Sequence, residues 1–137
     1  RTQYSSPVQI PGTTWAISAN KFQNGPASAA AIKTDGTLWM WGANNGNSAG
    51  ALGQNNQTRY SSPVQIPGTT WSTVSMGTRT VMGIKTDGTA WTWGENEFGG
   101  LGHNDVDVSR SSPTQIPGTN WFAGAKARDG GILFKNN

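Results

Sequence analysis

The sequence has no cysteine, which excludes a disulfide framework and any thiolate metal site. It has one histidine, His103, and no serine stands at a spacing from it that a hydrolase triad would use. Charge is scarce: Asp, Glu, Lys and Arg make up 12% of the chain, against about a quarter in ordinary globular proteins. No apolar run is long enough to span a membrane, no signal peptide is visible, and no segment shows the three-and-four apolar spacing of a helix. The formal net charge is +3, but the basic residues stand singly. Only Lys126 and Arg128 come close together. Nucleic-acid binders cluster their basic residues in a stripe, so this scatter argues against that class of partner.

What is present points to a turn-rich all-β chain. There are 19 Gly, seven Pro and seven Trp. The Trp residues give a weakly charged chain something heavy to bury, which disordered segments lack.

Internal repetition dominates the sequence. YSSPVQIPGTTW occupies Tyr4 to Trp15 and recurs at Tyr60 to Trp71; SSPTQIPGTNW follows at Ser111 to Trp121. The Trp-to-Trp spacings are 56 and 50 residues. A second block, AIKTDGTLWMWG at Ala31, returns as GIKTDGTAWTWG at Gly83. A third, Gly-rich block follows each of these, as GANNGNSAGALGQN and GENEFGGLGHN. The third copy stops after GGILFKNN, before its Asp-Gly turn. The repeats divide residues 1–137, a single domain, at 1–57, 58–108 and 109–137.

Each copy reads as four short strands. In the second copy these are Ser62–Ile66, with Pro63 at a strand start or edge, then Trp71–Ser75, Thr80–Lys85 and Ala90–Trp93. Asp35-Gly36 and Asp87-Gly88 predict tight hairpin turns with positive φ at both central residues. Alternation puts Trp91 and Trp93 on one face, as it does Trp39 and Trp41. Because Trp15, Trp71 and Trp121 also recur in register, all seven Trp residues are expected to pack the repeat. One helical turn is allowed near Phe98–Leu101. Four antiparallel strands about every 50 residues describe a blade of a β-propeller.

SSPVQIPG, the following Trp strand, AIKTDGTLWMWG and GENEFGGLG together resemble the regulator-of-chromosome-condensation repeat, over essentially the whole chain. That resemblance implies a propeller that is usually seven-bladed, of which this chain holds about two and a half blades. The near-identity of the copies is similar in style to repeat proteins of phages and bacteria. Many family members carry a His in the third strand; Ser28, Thr80 and Gly130 stand there instead. Two and a half blades leave apolar faces uncovered, so the expected partners are the remainder of a longer chain or other protein subunits.

No catalytic set, cofactor motif or metal motif emerges. Glu95 and Glu97 face Ala43 and Asn45 in the first copy, and read as loop decoration. Asn104, Asp105 and Asp107 offer oxygens without the Gly and distal Glu of a calcium loop. The expected function is a non-enzymatic structural or protein-contact module on a virion or cell surface. Its contact residues are expected where the copies differ: Asn44, Asn45, Asn47, Glu95, Glu97, Phe98, His103, Asn104, Asp105 and Asp107. Glycan binding through exposed aromatic and Asn side chains is the alternative, followed by guanine-nucleotide exchange or enzyme inhibition, both known for the resembled family.

Overall fold

The computed structural model describes residues 5–16, 18, 21–44, 50–127 and 130–137. Among the described residues, ten strands form three antiparallel sheets. The first contains β1 (Phe22–Asn24), β2 (Ser28–Ile32), β3 (Leu38–Gly42) and β4 (Tyr60–Gln65), hydrogen-bonded in that order. The second repeats this order with β5 (Trp71–Met76), β6 (Thr80–Lys85), β7 (Ala90–Gly94) and β8 (Arg110–Gln115). The third holds β9 (Trp121–Lys126) and β10 (Gly131–Lys135). No α-helix occurs among the described residues. The stretch at Phe98–Leu101, where a helical turn was allowed, is a pair of tight turns closed by Gly99 N–H to Asn96 O and Gly102 N–H to Gly99 O.

The sequence blocks and the sheets are out of phase by one strand. SSPVQ, expected as the first strand of its own blade, is the last strand of the preceding one: Met40 pairs with Val64 and Thr92 with Thr114. The reason lies in Pro63 and Pro113. Proline has no N–H for a ladder and is tolerated on a sheet edge, and β4 and β8 are edge strands. The Pro-Gly-Thr-Thr-Trp segment then carries the chain into the next sheet. Trp71 N–H donates to Gly36 O and Trp121 N–H to Gly88 O, tying each sheet to a turn of the one before.

The crossover requires an unusual backbone. Thr14, Thr70 and Asn120, each just before the repeat Trp, have φ of 64°, 65° and 67°. A β-branched residue is strained there, whereas Asn tolerates this region. The third copy already carries Asn. Thr70→Asn is therefore expected to stabilise the fold by about 0.5–1 kcal/mol. A urea midpoint that stays the same or falls would contradict this.

The Asp-Gly hairpins differ from the expected geometry. Only Gly36 and Gly88 have positive φ, both 82°. Gly88 N–H donates to Lys85 O and Lys85 N–H to Thr89 O, which is a three-residue loop with a left-handed glycine. The Asp instead organises the turn by side chain. Asp87 Oδ1 accepts from Thr89 N and Oγ1, and Thr89 Oγ1 accepts from Trp91 Nε1 at 2.9 Å. The same chain runs from Asp35 through Thr37 to Trp39.

The main core lies between the first two sheets. Ile32, Leu38, Met40, Leu52 and Ile66 meet Trp71, Val74, Val81 and Trp93. Of the seven Trp residues expected to pack the repeat, Trp71 and Trp93 are fully buried, while Trp15, Trp39, Trp41, Trp91 and Trp121 are half-buried. Gly83 is required opposite Trp71, because a Cβ would lie 2.6 Å from its ring. On the other face of the second sheet, Met82 and Ile84 are 4% and 3% exposed beside the third sheet. Their counterparts in the third sheet, Ile132 and Phe134, are 57% and 51% exposed, and Phe122 stacks on Phe134 with centroids 6.2 Å apart.

Candidate functional site

The copies share their strands and differ in the loops that leave β3 and β7. Gly94 ends β7 at φ 105°, and a Cβ there would overlap the Arg79 carbonyl. The loop that follows is pinned by Asn96. Its Oδ1 accepts from Leu101 N at 3.0 Å, and its Nδ2 donates to Asp105 O at 3.1 Å and to Asp105 Oδ1 at 2.6 Å. Its own carbonyl accepts from Asp107 N–H at 2.8 Å. Leu101 is fully buried beneath the loop.

Glu95, His103 and Asp105 of the loop are spent on holding it. Arg79 Nη1 donates to both oxygens of Glu95, at 2.9 and 3.0 Å. Arg110 Nη2 donates to Asp105 Oδ2 at 2.5 Å. His103 Nε2 lies 2.9 Å from Thr92 Oγ1, whose hydrogen goes to Leu101 O at 2.6 Å. A hydroxyl has one hydrogen to give, so His103 must be the donor to Thr92. That nitrogen is thus not free to act as a base. Among the described residues no three of His, Asp and Glu gather as a metal site.

His103 also gives the loop a pH dependence. Burial first, and the Arg110 charge second, hold its imidazole below the ordinary value of 6.5. Folding therefore favours the neutral ring. The stabilisation is complete above about pH 6.5 and is lost as pH falls through the folded-state value. Asp35 and Asp87 titrate in another window, since the Thr37 and Thr89 hydroxyls hold their carboxyls below 3.8. The drop in Tm from pH 7.5 to pH 5 is expected to be smaller in His103→Gln than in the parent. An equal drop in both would contradict this assignment.

The residues expected to make contacts divide into three groups. Asn44 is fully buried and cannot reach a partner. It does in the first copy what Asn96 does in the second: Oδ1 accepts from Leu52 N at 2.8 Å and Nδ2 donates to Asn56 O at 2.9 Å. Its recurrence as Trp-Gly-x-Asn in both copies was the available signal, because shared residues belong to the framework. Glu95, His103 and Asp105 are likewise committed within the loop. Glu97, Phe98, Asn104 and Asp107 are exposed. Asn45 and Asn47 lie outside the described residues.

Two further residues join the exposed group. Phe98, Val106 and Val108 are 62%, 59% and 46% exposed, and Val106 Cγ1 lies 3.2 Å from where a Cβ on Gly99 would stand. The pinned loop thus exposes three apolar side chains, with the exposed carboxylates Glu97 and Asp107 next to them in sequence. The first copy exposes polar Asn55, Gln57, Thr58 and Arg59 in the corresponding place.

The Trp faces offer less to a sugar. Lys33 Nζ lies 4.9 and 4.4 Å from the ring centroids of Trp15 and Trp39, and Lys85 Nζ lies 4.8 and 4.5 Å from those of Trp71 and Trp91. Each such contact stabilises by roughly 0.5–1 kcal/mol and covers an aromatic face. The sequence reading missed this role for the lysines.

Residues 87–127 match the regulator of chromosome condensation (RCC1) repeat. The chain carries an RCC1 repeat in this stretch. It is 33% identical over 91 residues to the RCC2 homolog of Danio rerio, a match covering 62% of this chain and 18% of that protein. Solved RCC1-type propellers share the fold. Human WBSCR16 superposes with a TM-score of 0.73 at 20% identity, over 95% of this chain and 33% of that one. Yeast RCC1 (Prp20), in a complex with Kap60, gives 0.67 at 14% identity, over 80% and 26%. The chain therefore spans a third or less of each relative's length. The RCC1-repeat match runs from the Asp87-Gly88 turn through the whole pinned loop to the end of β9, so framework and rim fall within one repeat.

Proposed function

We propose that this RCC1-repeat segment is a non-enzymatic protein-interaction module whose blades are scaffold and whose second loop is a contact surface. The observation that carries this reading is the divergence of two otherwise near-identical copies at one rim, where the second exposes Phe98, Val106 and Val108 on a rigid loop. A ligand surface built on a pinned loop loses little conformational entropy on binding. The similar yeast protein is held by a protein partner, Kap60, and a structure of Prp20p was described together with its binding to Gsp1p and histones. A second contact belongs to the same proposal: the face that exposes Ile132 and Phe134 takes a further blade of the same type, since Met82 and Ile84, their counterparts in the second sheet, are buried beside the third. The near-identity of the copies keeps a virion or cell-surface setting within the proposal. For glycan binding, Phe98 is the most exposed aromatic side chain among the described residues.

A photo-crosslinking phenylalanine analogue at position 98 of the full protein, irradiated in its native extract, tests the reading. The expected result is a discrete protein adduct that is absent when the analogue stands at Gln57. No protein adduct at position 98, or equal adducts at both, would overturn it.

A further inference from the structure

The two sheet-to-sheet interfaces within the chain are built alike, yet at one pair of positions they are filled by side chains in opposite order of size. Between the second and third sheets, β6 lies against β9, and Met82, 4% exposed, rests on glycine. A Cβ built on Gly124 would stand 2.6 Å from Met82 Sδ and 2.9 Å from Leu133 Cδ2, and one on Gly131 would stand 3.3 Å from Met82 Cε. Between the first and second sheets, β2 lies against β5, and the same two positions hold Ala30 and Val74, both in the core. The repeat fixes the equivalence. Ala30 and Met82 stand three residues before Lys33 and Lys85, and Val74 and Gly124 stand three residues after Trp71 and Trp121.

The exchange has a physical consequence. Protein interiors are packed too densely to absorb an extra methylene without strain. Small can meet large, as with Ala30 and Val74, and large can meet small, as with Met82 and Gly124, but two large side chains cannot share the site. The copies are otherwise near-identical in sequence, and repeat proteins are prone to pairing a unit with the wrong neighbour. A size-matched pair discriminates through the clash it builds against that neighbour.

Ile132 holds the Ala30 and Met82 position in the third sheet, three residues before Lys135, and is 57% exposed. It is about as large as methionine. We propose that this face accepts only a blade carrying Gly, Ala or Ser three positions after its Trp, and that this pair sets which blade follows which. A blade of the second sheet's kind, with Val74 at that position, is excluded. The proposal rests on the reading that a further blade covers the face, and adds what that blade must carry.

Two measurements on the full protein test it. In the first, Met82→Ala and Gly124→Ala form a double-mutant cycle followed by urea unfolding. Gly124→Ala alone is expected to lower the folding equilibrium constant about tenfold or more, and less than about threefold when Met82→Ala is also present. Equal losses in both backgrounds would overturn the size match. Should Gly124→Ala alone fail to fold, recovery of the fold in the double variant supports the match and its absence overturns it. In the second, a diazirine analogue of leucine is placed at position 132 and its photo-adduct is mapped by mass spectrometry. The expected adduct lies in a repeat blade whose residue three after the Trp is Gly, Ala or Ser. An adduct in a blade with Val or a larger residue there would overturn the proposal and leave the covering blade standing. No adduct in any blade would overturn the covering blade, and the proposal with it.

Discussion

Replacing Trp93 with alanine is expected to destabilise the fold by about 3–5 kcal/mol. Its indole is fully buried in the core between the first two sheets, and Nε1 donates to Ala51 O of the preceding repeat. Truncation removes that bond and leaves a cavity bounded by Ile66 and Gly53, both beside the ring or its neighbours. Gly53 has φ 67° and already sits 3.0 Å, by its virtual Cβ, from Trp93 Nε1, so the loop has little freedom to collapse inward. The loss is a large part of the roughly 5–15 kcal/mol that holds an ordinary domain together. Trp41 occupies the same register in the first sheet but is half-buried, resting on Trp15 and Phe22 at centroid distances of 6.3 Å. Trp41→Ala is expected to cost less than about 2 kcal/mol. Chemical denaturation of the two variants checks the contrast, and equal losses would contradict the placement of the core.

Asn96→Asp is expected to be nearly as damaging, at about 3–5 kcal/mol. The side chain is buried, and its Nδ2 is the donor to Asp105 Oδ1 at 2.6 Å. An aspartate would set a second carboxylate against the first, with Arg110 already engaged by Asp105. Two like charges at that distance cannot both stay ionised without a large penalty. The destabilisation should therefore shrink as pH falls and one carboxyl takes up a proton. Asn96→Ala removes the same hydrogen bonds without adding charge, leaves Leu101 N–H unpaired, and is expected to cost about 1–3 kcal/mol with no such pH relief. If the Asp variant matched the Ala variant at all pH values, the contact with Asp105 would be wrong.

The blade was legible because its signals are local. Trp91 and Trp93 alternate with small residues, Asp87-Gly88 punctuates a hairpin, and the blocks recur in order. The assignment of Ser-Ser-Pro-Val-Gln to a sheet was not legible, since pairing between β3 and β4 spans the loop from Gly42 to Tyr60 and depends on where the edge falls. Pro63 named the edge, but not whose edge it was. The candidate contact residues failed for a related reason. Asn44 and Asp105 look like solvent-facing loop polars in sequence, and only the closure of the loop turns them inward as hydrogen-bond partners of its own backbone. Phe98 was legible because nothing in the other copy matches it. Val106 and Val108 lie in the same variable stretch, yet apolar residues in a loop read equally well as buried anchors. The pairing of Lys85 with Trp71 and Trp91 was invisible because it joins three strands.

The central claim is that the blades form a scaffold and the second rim loop makes the contact. Its most direct test is the mass of the native full-length assembly by light scattering, for the parent and for the double variant Phe98→Ser, Val106→Ser, with Tm measured on both. The account predicts a loss of the partner's mass with Tm essentially unchanged, because both side chains already face solvent. An unchanged mass, or a loss of mass accompanied by a large fall in Tm, would contradict it.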